Sequence, residues 1–333
     1  MTSETDIIIV GAGPAGLAVA AVLREAGIPL LILERGQRVG ESWHHHYERL
    51  HLHTPKRHSA LPYRPFPRDY PTYPSRLQVT QYLDEYARAF ELKPEFGRRV
   101  QHCVRGDDGV WQLSTERGLY RARHVVIASG WLGEPIIPRW PGLDTFPGSI
   151  IHSRDYVNGE PFRGQRVLVV GFGNSGAEIA LDLLEHGAQS TIAVRGKVNV
   201  IPRDVLGIPI IVFALLYRAM PPRVADAMNA LPLRLAVGSL AKLGLEKRDE
   251  GPLTQIAESH QIPVIDVGTI RRIRSGDIAV RKGVHSVHGG EVLFADGTRE
   301  SFDAIVRATG FTSGLPRILP EQLARCAVEC DSA

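Results

Sequence analysis

The sequence predicts an α/β protein built around two βαβ units, each with a glycine-rich turn between its first strand and its helix. Residues 6–10 and 166–170 are continuous apolar runs, which are typical of strands buried on both faces of a parallel sheet. A G-x-G-x-x-G turn and a helical stretch follow each run. The second unit begins 160 residues after the first and repeats its pattern, which indicates an internal duplication of architecture.

Length and composition limit the class of protein. The 333 residues are enough for two domains, and 44% apolar with 23% charged residues is an ordinary globular composition. A net charge of +3, without a dense cluster of Lys and Arg, argues against nucleic acid as a partner. No apolar run is long enough to cross a bilayer, so we expect no transmembrane segment. The first apolar run, residues 6–10, is interpreted as a strand, so we expect no signal peptide.

Cysteine and histidine usage indicates neither a disulfide scaffold nor a metal site. The chain has only Cys103, Cys326 and Cys330 and no C-x-x-C, which predicts a reducing, cytoplasmic location and no redox dithiol. Cys326 and Cys330 are interpreted as inert tail residues. The histidine run at 44–46 has no spaced acidic or cysteine partner, so we interpret it as a solvated loop and predict no metal.

The first glycine turn has the pattern of a dinucleotide-binding site. Gly11 makes a tight turn, Gly13 lets the backbone approach a pyrophosphate, and Gly16 lets helix and strand pack closely. Glu34 ends the second strand, 18 residues past Gly16, where a carboxylate accepts hydrogen bonds from ribose hydroxyls. The alternative is a glycine turn without a ligand. The predicted site also includes Pro14, Ala15 and Arg35.

The second glycine turn differs from the first in the residue that ends its second strand. Arg195 stands at this position, 19 residues past Gly176. A carboxylate here would repel the 2′-phosphate of NADP, whereas an arginine can pair with it. Lys197 adds positive charge nearby, so we expect NADPH rather than NADH. The alternative is that Arg195 is a solvated surface charge. The predicted site comprises Gly171, Gly173, Asn174, Ser175, Gly176, Arg195 and Lys197.

Two dinucleotides in one chain predict electron transfer from a nicotinamide to a flavin, and hence FAD in the first turn. We predict two Rossmann-like, dinucleotide-binding domains in a glutathione-reductase-like FAD/NAD(P) architecture. The FAD domain comprises residues 1–160 and 285–333, and the NADPH domain comprises 161–284. The strand at 303–308 is predicted to return to the first sheet, with Thr309 and Gly310 in the cofactor site after it.

A family resemblance rests on residues 146–156, F-P-G-S-I-I-H-S-R-D-Y, just before the second glycine turn. They match F-x-G-x-x-x-H-x-x-x-Y, the identifying motif of flavin-containing monooxygenases; Baeyer–Villiger monooxygenases commonly end it in Trp, whereas this chain has Tyr156. The alternative is a linker with incidental Phe, His and Tyr. Further stretches resemble the YUCCA-type branch, which makes auxin from indole-3-pyruvate in plants. They lie at 42–43, 47–50, 52–56, 70–74, 169–176, 201–207, 263–269 and 307–311.

The resemblance implies an NADPH-consuming monooxygenase that acts on a small organic substrate with O₂. NADPH reduces FAD, reduced flavin and O₂ form a peroxyflavin, and bound NADP⁺ shields it from water. The product is an oxygenated N or S atom, or the shortened acid that remains when a 2-oxo acid such as indole-3-pyruvate loses CO₂. The resemblance places Trp43 near the flavin. His53 stands where many members have Asn and is the candidate catalytic residue; the alternative is a satisfied, structural histidine.

Two segments leave alternatives open. Family members continue past the A-T-G-[FY] motif with a glycine-rich segment over the flavin, whereas this sequence has 22 residues after Phe311. We therefore keep an uncoupled NADPH oxidase that releases H₂O₂ and a non-catalytic flavin-binding protein as alternatives. The apolar segment 205–245 is a candidate wall of the substrate entrance, with ordinary helical packing as its alternative. The sequence decides neither the substrate nor the oligomeric state.

Overall fold

A computed structural model describes the backbone of residues 2–319 and the side chains of residues 4–319. The predictions made for Cys326, Cys330 and the rest of the tail lie outside these residues. The described chain divides into two compact units: unit 1 comprises residues 2–46, 54–134 and 311–319, and unit 2 comprises 47–53 and 135–310. Within the described residues, no helix has both the length and the apolarity that a membrane span requires.

Unit 1 is organised by a mixed sheet that contains the first βαβ unit. Three strands are parallel, and a hairpin extends the sheet on one side. The strands, in spatial order, are Leu30–Leu33, Thr2–Val10, Gly118–Ile127, Trp111–Thr115 and Val100–Arg105. The helices are Pro14–Glu25, Glu41–His44, Lys56–Ser59, Arg76–Ala89 and Leu315–Ile318. The predicted βαβ unit is confirmed.

Side chains fix the ends of the irregular segment between residues 40 and 75. Ser75 begins the helix Arg76–Ala89 with a capping box, in which its hydroxyl accepts from the Gln78 amide and its own amide donates to the Gln78 side chain. The Lys56 ammonium donates to three carbonyls at distances of 2.5–3.0 Å, those of Pro67, Arg68 and Tyr70. The Lys56 side chain therefore connects two parts of the segment, and its ammonium group is occupied by these carbonyls.

Unit 2 is organised by a wholly parallel sheet that contains the second βαβ unit. Its strands, in spatial order, are Ile278–Lys282, Gln189–Val194, Arg166–Val170, Ala304–Arg307 and Ser149–His152. An antiparallel sheet comprises Val284–His288, Glu291–Phe294 and Arg299–Ser301, and smaller pairs are Val200–Pro202 with Val264–Asp266 and Asp204–Val205 with Ile208–Pro209. The helices are Asn174–Glu185, Ile210–Leu216, Pro222–Val237, Pro252–Ser259 and Thr269–Ser275. Two short strands, Glu134–Pro135 and Phe311–Thr312, lie where the chain passes from one unit to the other.

The prediction that the strand at 303–308 returns to the first sheet is wrong. Ala304–Arg307 lies between two strands of unit 2, with Ile305 paired to both Leu168 and Ile150. The compact units change after residues 134 and 310. The assignment of an FAD domain to 1–160 and 285–333 and of an NADPH domain to 161–284 stays a prediction. The three apolar residues Ala304 to Val306 predict a buried strand but carry no information about which sheet it joins.

The apolar segment 205–245 forms helices whose side chains are largely exposed. Nothing in Ile210–Leu216 is buried, and only Ala225 and Val237 are buried in Pro222–Val237. Leu235 is 78% exposed. Core packing accounts for Val237, Leu240 and Leu245 at the end of the segment, but not for the exposed apolar side chains of its helices.

Candidate functional site

In the first turn, two glycines are required by the fold and the third is not. A Cβ added at Gly11 would lie 2.3 Å from the Ala128 carbonyl oxygen, and Gly11 has φ +111°. At Gly16 the added Cβ would lie 1.9 Å from the Gly11 oxygen. Gly13 has an extended conformation with φ −80°, and an added Cβ would meet no atom within 4 Å. The protein leaves open space at Gly13, where a pyrophosphate would approach the backbone.

The second turn repeats this geometry almost unchanged. An added Cβ would lie 2.3 Å from the Ala308 oxygen at Gly171 and 2.1 Å from the Gly171 oxygen at Gly176, whereas Gly173 faces open space. Neither helix that follows has a side-chain cap on its first amide groups. Uncapped amides and the positive end of the helix dipole favour an anion at both turns, so the residues present fit two dinucleotide pyrophosphates.

Glu34 is held beside the first turn by backbone amides. The side chain is 7% exposed, and its oxygens accept from the amides of Ala12 and Gly36, each at 2.7 Å. A carboxylate oxygen can accept more than one hydrogen bond, so Glu34 keeps capacity for ribose hydroxyls. Of the other residues predicted here, Pro14 is the first residue of the helix, Ala15 and Arg35 are exposed, and Trp43 packs edge-on against His46.

The histidine run beyond this turn is not the solvated loop that we predicted. Burial lowers the pKa of His46 to about 4, with a smaller contribution from the Arg76 charge. Burial also lowers the pKa of His44, whereas His45 is exposed and meets Glu41 at 2.7 Å. Among residues 4–319, no group of three or more His, Cys, Asp or Glu is placed to hold a metal ion.

Arg195 and Lys197 differ in their availability to a ligand. Arg195 is exposed directly after the strand Gln189–Val194, and its guanidinium has no hydrogen bond or ion pair with the described side chains. The Lys197 ammonium lies 2.6 Å from an Asp249 carboxylate oxygen, which raises the pKa of Lys197 through that hydrogen bond. Arg195 is therefore the more available cation for a 2′-phosphate.

Other residues predicted to bind cofactor already have partners in unit 2. The Asn174 side-chain oxygen accepts from the Ile265 amide at 2.7 Å. The Thr309 hydroxyl donates to the Ile136 carbonyl at 2.6 Å, and Gly310 has φ +87°. Thr309 and Gly310 thus lie in unit 2. Their contact with a cofactor stays a prediction.

The side chains of the 146–156 motif are built into the interior of unit 2. Phe146 lies in an apolar core, and an added Cβ at Gly148 would lie 2.0 Å from the Asp303 oxygen. The buried His152 accepts from the Arg154 amide at 3.1 Å. The Tyr156 hydroxyl donates to Asp182 at 2.6 Å, and burial followed by this bond raises the Tyr156 pKa. The motif therefore fixes the sheet edge and the helix Asn174–Glu185.

His53 meets a buried carboxylate that sequence reasoning missed. Its Nε2 lies 2.5 Å from an oxygen of Glu178, which is 3% exposed on the helix of the second turn. The buried Tyr47 hydroxyl is hydrogen-bonded to both Ser175 and Glu178, and burial raises its pKa well above the usual value. The available signal was a lone acid within the apolar run G-A-E-I-A-L. A catalytic role for His53 stays a prediction.

Comparison with known proteins identifies the family. The family model described as pyridine nucleotide-disulphide oxidoreductase matches residues 8–205. The chain is 42% identical to the indole-3-pyruvate monooxygenase YUCCA6 of Arabidopsis thaliana, covering 95% of this chain and 78% of that protein. It is 40% identical to the rice indole-3-pyruvate monooxygenase YUCCA1, covering 94% of this chain and 78% of that protein. The chain belongs to the YUCCA-type flavin-containing monooxygenases.

Solved structures agree with this membership. A flavin-containing monooxygenase from Stenotrophomonas maltophilia matches with a TM-score of 0.73 and 25% identity, covering 95% of this chain and 81% of that one. A steroid monooxygenase bound to NADP shares the fold, with a TM-score of 0.77, 22% identity and coverage of 95% and 74%. As a member of this family, the chain is an FAD-dependent monooxygenase that uses NADPH.

The matched region 8–205 contains one cysteine, Cys103. It is buried, and burial raises its pKa to about 11. The thiol therefore stays protonated at neutral pH and is a poor nucleophile, so this member has no dithiol chemistry in that region.

Proposed function

We propose that this monooxygenase converts a 2-oxo acid of the indole-3-pyruvate class to the carboxylic acid that is one carbon shorter. The observation that carries the proposal is a pair of glycine turns with matching open positions, in a chain 42% identical to an indole-3-pyruvate monooxygenase. The reaction balances as 2-oxo acid, NADPH, H⁺ and O₂ giving the shortened acid, CO₂, NADP⁺ and water. FAD, when bound, would carry electrons from NADPH to O₂.

The proposed division of labour follows the geometry of the two turns. The open Gly13 and the uncapped helix Pro14–Glu25 would hold the FAD pyrophosphate, and Glu34 would hold its ribose. The open Gly173 would admit the NADPH pyrophosphate, and the unpaired Arg195 would bind the 2′-phosphate.

The helices Ile210–Leu216 and Pro222–Val237 support an apolar substrate. Several of their apolar side chains are accessible, as the 70% exposure of Leu216 illustrates, although Ala225 and Val237 are buried. We propose that these helices form the substrate-side wall. A competing substrate class, a soft N or S atom, would use the same wall. A cytoplasmic location belongs to the proposal, rests on cysteine usage, and is testable by cell fractionation.

The test follows electrons and products separately. The purified holoprotein is mixed with NADPH without O₂ while flavin absorbance is recorded, and O₂ with indole-3-pyruvate is then admitted. The proposal expects bleaching by NADPH and formation of one shortened acid and one CO₂ per NADPH consumed. Bleaching with H₂O₂ as the stoichiometric product would make the protein an oxidase. Flavin that NADPH does not bleach would remove the catalytic proposal and favour a flavin-binding protein.

A further inference from the structure

A hydrogen-bonded chain of side chains connects the second glycine turn to His53. Ser175, the second residue of the helix Asn174–Glu185, bonds to the Tyr47 hydroxyl, which also bonds to Glu178. The opposite end of the chain is the contact of 2.5 Å between Glu178 Oε1 and His53 Nε2. Ser175 and Glu178 are three residues apart, so they share one face of the helix. All four residues belong to unit 2.

The chemistry of a carboxylate determines which His53 nitrogen carries hydrogen. An ionised carboxylate can only accept hydrogen bonds, so the Nε2 that meets Glu178 must donate. In the neutral ring this leaves Nδ1 as the nitrogen with the lone pair. Glu178 is 3% exposed and His53 is 18% exposed, so the carboxylate is enclosed while part of the ring can reach solvent or ligand.

We propose that Glu178 is a positioning residue that holds the His53 ring and its Nε2–H tautomer, and ties both to the nucleotide turn through Tyr47 and Ser175. The inference rests on the proposed function in two respects: the second turn binds NADPH, and His53 takes part in reduction of the flavin. It assigns to Glu178 an effect exerted through His53, not a direct contact with the reacting atoms.

The same helix offers a matched control. Asp182 lies four residues after Glu178, is 4% exposed, and accepts a hydrogen bond of 2.6 Å from the Tyr156 hydroxyl. Glu178→Gln and Asp182→Asn therefore each neutralise a buried, tyrosine-bonded carboxylate on one helix. His53 contacts only the first of these two acids.

The kinetic test measures the limiting rate of flavin bleaching at saturating NADPH and, separately, the Kd for NADP⁺. We expect Glu178→Gln and His53→Ala each to lower the limiting rate on the order of tenfold, with the double variant no slower than His53→Ala by more than about twofold. Asp182→Asn should leave the rate within about twofold of the parent. Multiplicative effects in the double variant, or an equal loss in Asp182→Asn, would overturn the proposal.

A second readout requires no turnover. In ¹⁵N-histidine-labelled holoprotein, the His53 signals, assigned by their loss in His53→Ala, should show hydrogen on Nε2. Glu178→Gln should give a mixture of tautomers, because an amide both donates and accepts. A wild-type ring without hydrogen on Nε2 would overturn the positioning role. If NADPH fails to bleach the wild type, the proposed function fails, and the nitrogen signals still decide the role of Glu178.

Discussion

At the residue scale, the open glycines separate binding from folding. Gly13 and Gly173 have negative φ and open space, so alanine there should fold normally while its methyl group occupies the proposed phosphate position. We expect Gly173→Ala to raise the Kd for NADP⁺ by at least about tenfold and Gly13→Ala to release FAD, without loss of unfolding free energy in the apoprotein. Calorimetric titration and thermal unfolding measure both. As the control, Gly171→Ala should unfold, since its Cβ would lie 2.3 Å from a carbonyl oxygen.

Arg195 and Lys197 make a second residue-scale prediction, about nucleotide choice. Arg195→Ala should raise the KM for NADPH by about 10- to 100-fold and leave the KM for NADH unchanged, because only NADPH carries the 2′-phosphate. Lys197→Ala should have the smaller effect, since Asp249 already pairs with Lys197. Steady-state kinetics with both nucleotides test this order. Equal losses with NADPH and NADH would make Arg195 a general surface charge.

His46 predicts a pH dependence of stability. Its pKa is about 4 in the folded protein against a usual 6.5, so between these values only the unfolded chain binds the proton. The contribution of His46 to the free energy of unfolding is therefore complete above pH 6.5. It declines as the pH falls toward 4, by roughly 3 kcal/mol in total. Urea unfolding of His46→Gln should show a shallower loss over this window than the wild type. Parallel curves would contradict the assignment.

At the scale of elements, local patterns were sufficient where neighbours in sequence are neighbours in space. The strand Leu30–Leu33 and both glycine turns could be predicted because their determinants lie within a few residues. The partners of Ala304–Arg307 and the hydrogen bond between His53 and Glu178 could not be predicted, since 125 residues separate His53 from Glu178. Long-range pairing depends on tertiary packing, which periodicity does not encode.

The exposed helices give a prediction for an element. Leu235→Ser in Pro222–Val237 should change the unfolding free energy by at most about 0.5 kcal/mol, because the side chain is 78% exposed, but should raise the KM of an apolar substrate. Leu183→Ala, in a fully buried position of the helix Asn174–Glu185, should cost about 2–5 kcal/mol. Chemical denaturation and substrate titration compare the two. An unchanged KM for every apolar substrate would show that the Leu235 face of this helix does not contact the substrate.

For the whole molecule, segments that are distant in sequence belong to the same compact unit, and binding experiments can test whether they respond to the same ligand. Residues 47–53 and 304–307 come from distant parts of the sequence, yet both belong to the unit that contains the second turn. NADP⁺ should therefore slow amide exchange at the second turn and at these two segments, whereas FAD should slow it at residues 11–16 and 34–36. Hydrogen exchange with each ligand alone measures this. Gly173→Ala should abolish the NADP⁺ pattern and keep the FAD pattern; loss of both together would mean that the two turns do not bind independently.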